Sequence, residues 1–314
     1  MPFPVCPGTA ATIRGNAPMI KRSYFKSPLL PYGLILPQIL VTLTFFYWPA
    51  IQGLIQSFLL SDPFGQRSRF VWFSNYVDLF TDPLYLKSIG ITFVFSIATA
   101  AVSISLGLFI AAMANRALRF KALTRTLLIW PYAVAPAISG IMWLFLLHPS
   151  YGIVALGLKN GLGMDWNPVL YGSDAMIMIV MASAWKEISY NFVFFMAGMQ
   201  AVPKSLIEAA AIDGAGPFRR FWTITFPLLS PTFFFLAVMN MIYSFFETFG
   251  IIHTITQGGP GGSTNILVYK VYQDGFVGLN LGSSSAQSVV LMSLIILITF
   301  LQFRFVEKKV QYSG

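Results

Sequence analysis

The fold is decided by one stretch of the chain, Glu208-Ala-Ala-Ala-Ile-Asp-Gly-Ala-Gly-Pro-Phe-Arg-Arg-Phe-Trp-Thr-Ile-Thr-Phe-Pro227. It is polar and basic, contains strong helix formers, and lies between two long apolar runs of a very hydrophobic protein. A short polar helix beside apolar membrane segments cannot be buried in lipid, so it must lie at the membrane surface. Such a helix is well placed to bind something outside the membrane.

Local signals in this stretch predict two short helices, over residues 206–213 and 217–226. Ser205 and Glu208 form the S-x-x-E pattern of a capping box, in which each side chain takes a free backbone N–H. Gly214 suits a left-handed helix end, and Pro217 suits a first helical turn. The alternative interpretation is a surface linker in which Glu208 is only a cap.

The composition predicts an all-α membrane protein. The chain has 314 residues, of which 56% are hydrophobic and 10% are charged, and its mean hydropathy is +0.70. Soluble domains carry about 25% charged residues, and a membrane span needs about 20 mainly apolar residues. Six candidate transmembrane helices cover about residues 32–58, 89–114, 124–147, 175–200, 227–252 and 285–305.

The net charge of +9 reflects membrane topology, because the basic residues are concentrated on one side of the predicted spans. A nucleic-acid partner is therefore not needed to explain the charge. The richer side holds Arg14, Lys21, Arg22, Lys26, Arg116, Arg119, Lys121, Arg125, Lys204, Arg219, Arg220, Arg304, Lys308 and Lys309. The poorer side holds Arg67, Arg69, Lys87, Lys159 and Lys270. The positive-inside rule then places both termini, and the loop between the fourth and fifth spans, in the cytoplasm.

The chain divides into two parts by composition. Residues 1–28 are rich in Pro, Gly and Ala and predict a disordered cytoplasmic tail, whereas residues 29–314 form the transmembrane domain, with the surface loop at about 201–226. The tail has no apolar core of a cleaved signal peptide, and Met19 is an alternative start that would make residues 1–18 dispensable.

Motifs of catalysis and of metal binding are missing from the sequence. Cys6 is the only cysteine, which excludes internal disulfides and a C-x-x-C metal site. No Walker A motif, H-E-x-x-H or G-x-S-x-G occurs, so we expect no bound cofactor, no metal and no enzymatic activity. Any ATP hydrolysis linked to this chain belongs to a partner.

Polar side chains within two spans form a candidate substrate path. They recur at helical spacing, so each set lies on one face, and ionisable groups at membrane depth usually face a bundle interior or a pathway. Lys186 lies about 17 Å below the outer end of its span, near the midplane. The stripes are Ser183, Lys186, Glu187, Tyr190 and Asn191 in the fourth span, and Asn240, Tyr243, Ser244, Glu247 and Thr248 in the fifth.

Two interpretations of Lys186 stay open. In one, it is available to an anionic substrate. In the other, it forms a structural ion pair with Glu187 or Glu247 that only satisfies these groups between helices.

The quoted stretch resembles the cytoplasmic coupling loop of ABC importer permeases, whose pattern is E-A-A-x-x-x-G-x9-I-x-L-P. Phe226 stands where the pattern has Leu, which is one apolar residue for another. The resemblance implies the type I importer permease fold, and a coupling helix that docks onto an ATPase subunit holding ATP and Mg²⁺. The matching positions are Glu208, Ala209, Ala210, Gly214, Ile224 and Pro227, and the ATPase-coupling residues are Glu208, Ala209, Ala210, Asp213, Gly214 and Ala215.

Other stretches extend the resemblance from about residue 28 to the end. Trp130-Pro-Tyr-Ala-Val-Ala-Pro136 and Thr256-Gln-Gly-Gly-Pro260 resemble the carbohydrate-uptake branch. Asp62-Pro-Phe-Gly65, Trp185-Lys-Glu-Ile-Ser-Tyr-Asn-Phe192, Ala286-Gln-Ser-Val-Val-Leu-Met292 and Gln302-Phe-Arg-Phe-Val-Glu307 are similar to A-type permease subunits of sn-glycerol-3-phosphate importers.

That likeness implies a non-catalytic permease subunit in the bacterial inner membrane, which imports sn-glycerol-3-phosphate or glycerophosphodiesters. It also implies three kinds of partner: a second homologous permease, an ATPase dimer and a periplasmic substrate-binding protein.

Two rival functions remain. One is a sugar-specific permease of the same class. The other is a secondary transporter that uses Lys186, Glu187 and Glu247 as an ion relay, although no inverted sequence repeat supports it.

Overall fold

The structure is a computed structural model that describes residues 29–61, 68–114 and 121–305. The expected tail at 1–28, the stretch Asp62–Gly65 and the last basic residues, Lys308 and Lys309, lie outside the described residues. The chain forms two compact units, the first ending at Ala50 and the second beginning at Ile51.

The first described helices are almost entirely apolar. Helix α1 (Leu29–Thr42) contains Pro37 and continues through a π-helical turn (Leu43–Tyr47) into α2 (Trp48–Gln56). Their large apolar side chains, such as those of Leu34 and Phe45, are exposed on the surface. Leu29–Gln56 is long and apolar enough to cross a bilayer.

A short hairpin and a small helix follow on the way to the second expected span. Strands β1 (Leu59–Ser61) and β2 (Ser68–Phe70) are antiparallel, and Leu60 is paired with Arg69. Helix α3 (Ser74–Thr81) follows, and its Asn75 side chain donates to the backbone carbonyls of Ser57 and Leu59, at 2.8 and 3.0 Å. Helix α4 (Pro83–Ala114) then forms one continuous span.

The third expected span is sharply bent. Helices α5 (Lys121–Ala133) and α6 (Pro136–Leu147) meet at an angle of 106°. Pro136 is the cause, because the residue before a proline is driven out of the helical region. Ala135 is accordingly extended, with φ −60° and ψ 142°.

The remaining helices are broken at several points. After α7 (Ile153–Leu162) comes α8 (Gly172–Ala201), the second-longest helix described. The next segments are α9 (Lys204–Ile212), α10 (Pro217–Arg220), a second π-helical turn (Phe221–Thr225), α11 (Phe226–Leu228), α12 (Ser230–Phe246), α13 (Phe249–Ile255), α14 (Leu267–Tyr272), a third such turn (Gln273–Val277) and α15 (Leu281–Phe305).

Helices α4 and α8 form the most extensive helix pair, and small residues let them approach closely. A Cβ atom added to Gly107 would stand 2.6 Å from the Cβ of Asn191, so only glycine fits at this crossing. Close backbone approach through small residues is how membrane helices associate. The core beside it contains Ile104, Phe192, Phe195 and Leu236.

The expected count of six spans is not confirmed. Three continuous helices pass by length and composition: Leu29–Gln56, Pro83–Ala114 and Leu281–Phe305. Two bent pairs, α5 with α6 and α10 through α12, raise the number to at most five. Helix α8 covers the fourth expected span and is about 45 Å long, but Lys186, Glu187 and other polar residues make it less apolar than α4 and α15.

Candidate functional site

Residues 204–228, which we call the coupling segment after their motif, include no buried residue, and more than half of them are exposed. Helix α9 has no buried residue, and Glu208, Ala209 and Asp213 are exposed. Ile212 is 86% exposed, which is unusual for a large apolar side chain that follows a turn of alanines. An exposed apolar tip between short side chains is suited to enter a groove on a partner.

The turn after α9 is a Schellman motif. Gly214 adopts φ +79°, the left-handed conformation that the sequence predicted for it. The N–H of Ala215 donates to the carbonyl of Ala210 at 2.9 Å, and the N–H of Gly214 donates to Ala211 at 3.1 Å. These bonds satisfy the last carbonyls of α9 and turn the chain sharply into α10.

The predicted capping box is wrong, whereas the second helix start is confirmed. Helix α9 begins at Lys204 with Pro203 as its cap, and no side chain caps it. Ser205 is therefore already inside the helix, so its hydroxyl is not placed at the N-terminal cap. Pro217 is the first residue of α10, as expected, and Gly216 before it is extended.

Lys186 binds the break between α5 and α6. Its side chain is buried, and its Nζ donates to the backbone carbonyls of Tyr132, at 3.4 Å, and of Val134. The last carbonyls of a helix have no partner within it, and a positive charge there is favourable because the helix dipole is negative at this end. Lys186 thus caps the C-terminal end of α5, whose last carbonyls have no helical partner because the helix stops before Pro136.

The ion pair of Lys186 with Glu187 or Glu247 is not formed. Among the described residues, the salt bridges are those of Lys270 with Asp82 and with Asp274. Glu187 is buried, whereas Glu247 is exposed at the interruption between α12 and α13.

The two stripes meet through their asparagines. Asn240 Nδ2 donates to Asn191 Oδ1 at 2.8 Å, and Asn191 Nδ2 donates back at 3.2 Å. Ser103 Oγ of α4 also donates to Asn240 Oδ1, at 2.7 Å. All three side chains are fully buried, so they join α4, α8 and α12 by hydrogen bonds between helices.

The remaining stripe residues divide between the interior and the open face. Ser183, Tyr243 and Ser244 are buried, and within the described part of the chain their hydroxyls have no hydrogen-bond partner. Tyr190 is half-buried and its ring stacks on Tyr132, with centroids 5.7 Å apart. Buried hydroxyls without a partner are rare in proteins, and each calls for an explanation.

Sequence reasoning missed the role of the α5–α6 break in this cluster. The carbonyls of Tyr132 and Val134 and the Tyr132 ring meet α8 only because the third span bends. Ala135-Pro136 was the available signal, since it predicts an extended residue and therefore free carbonyls just before it.

The family described as "Binding-protein-dependent transport system inner membrane component" matches residues 103–312. The sn-glycerol-3-phosphate transport system permease protein UgpA of Rhizobium meliloti (strain 1021) is 56% identical over 294 residues, which are 94% of this chain and 100% of that protein. The protein of the same name from Yersinia pestis is 51% identical, over 93% of this chain and 99% of its own length.

Solved structures match at the level of fold. A chain of a bacterial ABC transporter involved in the import of the acidic polysaccharide alginate has a TM-score of 0.78 at 20% identity, over 90% of this chain and 96% of that chain. A chain of an amino acid ABC transporter has a TM-score of 0.51 at 16% identity, over 76% and 100%. The importer permease fold predicted from the coupling motif is thereby confirmed.

Proposed function

The chain belongs to the family of binding-protein-dependent transport system inner membrane components, and we propose that it forms, with a second homologous permease, the translocation path of an ATP-driven importer. It is a multi-pass permease subunit without catalytic activity of its own, and ATP hydrolysis belongs to the partner ATPase. The charge distribution supports cytoplasmic termini, which fusions of topology reporters to each end would test.

The substrate we propose is sn-glycerol-3-phosphate or a glycerophosphodiester. The observation that carries this proposal is identity of 51–56% with permeases named for that substrate, over more than nine-tenths of the chain. A sugar is the second candidate for the same path. The exposed Glu247 carboxylate and the stacked Tyr132 and Tyr190 rings favour it, because they suit hydroxyl groups and apolar sugar faces better than a phosphate.

Helix α9 is proposed to dock onto the ATPase subunit, which would hold ATP and Mg²⁺. Two observations support this docking. No residue of α9 is buried within this chain, and Ile212, beside the left-handed turn at Gly214, is exposed at the end of the helix. Closure of the ATPase dimer would then pull on α9 and, through Pro203 and α10, on the ends of α8 and α12. The segment at 253–284 on the opposite side is proposed to receive the loaded binding protein.

The substrate path is proposed to run past Lys186, between the α5–α6 break and the face of α8 that carries Glu187 and Tyr190. Lysine carries three donors on a flexible stem, so Lys186 can exchange a carbonyl of Tyr132 or Val134 for a phosphate oxygen without losing a bond. The hydroxyls of Ser183, Tyr243 and Ser244 and the carboxylate of Glu247, at the C-terminal end of α12, are proposed to belong to the same path. Asn191 and Asn240 hold these helices together, so their contribution to the path is indirect.

A reconstituted complex tests the proposal. The tagged chain would be purified in mild detergent with its partners, placed in vesicles, and assayed for ATP hydrolysis and uptake with a binding protein loaded with sn-glycerol-3-phosphate. Stimulated hydrolysis and uptake are expected. Uptake of a sugar but not of the phosphate ester would select the second candidate. Uptake that depends on a proton gradient and not on ATP would contradict the proposal as a whole.

A further inference from the structure

An open groove lies between the end of α4 and the segment after α9, away from the candidate substrate path. Its volume is about 970 Å³, at the upper end of the range of about 300–1,000 Å³ found for ligand sites. We call it the α4–α10 groove. Phe109 and Met113 form one wall, Phe218, Phe221 and Trp222 form the other, and Arg220 lies among them.

The walls of the α4–α10 groove are apolar and largely uncovered. Phe109 is 60% exposed and Phe218 is 78% exposed, and Trp222 is partly open beside them. The ring of Trp222 contacts both Phe218 and Phe221, with centroids 6.2 and 5.4 Å apart. Tryptophan beside an apolar wall is the composition of the membrane interface, where hydrocarbon gives way to headgroups.

Arg220 is the feature that selects the ligand. No residue that lines the groove is acidic, and within the described residues Arg220 has no salt bridge and its buried Nε has no hydrogen-bond partner. Leaving a buried donor of a charged group without a partner is unfavourable. A guanidinium is always charged and its planar set of donors matches two phosphate oxygens at once.

We propose that the α4–α10 groove binds an anionic phospholipid. The phosphodiester accepts hydrogen bonds from the Arg220 guanidinium, and an acyl chain lies along α4 from Met113 towards Ser105. These residues span about 12 Å along the helix, close to half of the hydrocarbon core of about 30 Å. The inference goes beyond transport itself, and it rests on the proposed orientation in which α10 lies at the cytoplasmic surface. A lipid there would brace the coupling segment against the second span.

Native mass spectrometry of the assembled complex tests this. The complex is washed free of lipid in detergent and then offered phosphatidylglycerol or phosphatidylcholine with the same acyl chains. Retention of phosphatidylglycerol is expected, with Arg220→Gln lowering it about fivefold, since a basic residue near an anionic surface contributes an effect of that size. Arg219→Gln is the matched control, because Arg219 is exposed and does not line the groove. Met113→Trp, which fills the apolar wall, should lower retention of both lipids.

Three results would overturn the inference. They are equal retention of phosphatidylglycerol by Arg220→Gln and the unaltered complex, equal retention of phosphatidylglycerol and phosphatidylcholine by the unaltered complex, and no retained lipid in a complex whose partner subunits all co-purify. The last result means that a neighbouring subunit covers the groove. Because retention is measured without ATP or transport, a complex that carries a different substrate can still pass this test.

Discussion

Helices α8 and α9 follow one another in the chain, yet they place their polar side chains in opposite surroundings. Helix α8 buries Lys186, Glu187, Asn191 and several hydroxyls, whereas α9 buries no side chain at all. Two polar groups of α8 find partners within this chain. The Lys186 ammonium binds the carbonyls beside Pro136, and the Asn191 amide binds that of Asn240. For the polar side chains of α9, no hydrogen bond or salt bridge is found within the described residues, which agrees with the proposal that α9 docks onto another subunit.

The difference predicts two kinds of mutational behaviour. Changes in α8 should alter the chain itself, its stability and its path, because they leave buried groups without partners. Changes in α9 should leave the chain inserted in the membrane and stable, but they should weaken its coupling to the ATPase subunit. Four experiments examine this contrast, in order of the effect expected.

The largest effect is expected for Gly214→Asp. A side chain at φ +79° is strained by about 1–2 kcal/mol, which shifts the turn that sets the position of Ile212. We expect uptake to fall about tenfold or more, with normal amounts of inserted protein, as measured by vesicle uptake and by immunoblot of membranes.

Gly216→Asp is the control for Gly214→Asp. An added Cβ meets no atom within 4 Å at either glycine, but Gly216 has φ −65° and caps α10, a position where aspartate is favourable. It adds the same charge two residues away. Equal losses in the two variants would show that charge, and not the turn, is what matters.

The next effect is expected for Lys186→Met, which removes the cation that caps α5. Such a contact at a helix end contributes up to about 2 kcal/mol when partly buried, so uptake should fall about fivefold or more. Lys186→Arg keeps the charge and should retain more activity. A raised KM for sn-glycerol-3-phosphate with a normal thermal midpoint favours contact with substrate, whereas a lowered midpoint at unchanged KM favours a structural cap only. Normal uptake and a normal thermal midpoint with Lys186→Met would contradict both substrate binding and helix capping by Lys186.

A smaller effect is expected for Glu247→Gln. If the substrate is an anion, removing a carboxylate from the open end of α12 should lower KM by about two- to fivefold, because one repulsive charge near the path is lost. For a neutral sugar the change should be an increase in KM, since a strong acceptor of hydroxyl hydrogen bonds is weakened. Measuring KM for both substrates in vesicles therefore also separates the two candidate functions.

The smallest effect is expected for the asparagine pair. Asn240→Leu leaves Asn191 and Ser103 without their shared acceptor, and polar contacts between membrane helices contribute about 0.6 kcal/mol each, with a maximum of about 1.7 kcal/mol. The double variant Asn191→Leu with Asn240→Leu removes both amides and should be less destabilised than the sum of the singles. Thermal midpoints of the four proteins measure this coupling. Strict additivity would mean that the two amides do not interact in the membrane.

The coupling segment was predictable in unusual detail because its determinants are local. A glycine in the left-handed conformation, a proline at a helix start and a row of alanines each affect the conformation of only a few neighbouring residues. The structure confirmed the first two. The capping box failed for an equally local reason. Pro203 already permits the helix to begin at Lys204, which places Ser205 too late to act as the cap.

The polar stripes of α8 and α12 were predictable as faces but not as contacts. Helical spacing put Lys186 and Glu187 together on one side, and Asn240 with Ser244 on another. It could not say that Asn191 faces Asn240, nor that Lys186 prefers carbonyls to a carboxylate. Those choices depend on which helices are neighbours. The predicted count of six spans was not confirmed, since bends and polar residues depart from a simple apolar run.

The amino-acid sequence was sufficient to predict a helical membrane protein and to identify the family whose coupling motif its surface loop carries, and the docking of that loop onto a partner stays a prediction. Composition, charge asymmetry and short-range helix signals act along the chain, so they can be read without knowing the fold. Only the tertiary structure decided the partner of Lys186, the junction of Ser103, Asn191 and Asn240, and the groove beside Arg220. Each of these joins residues far apart in sequence, and their contacts follow from the bend at Pro136 and from the close approach of helices at Gly107.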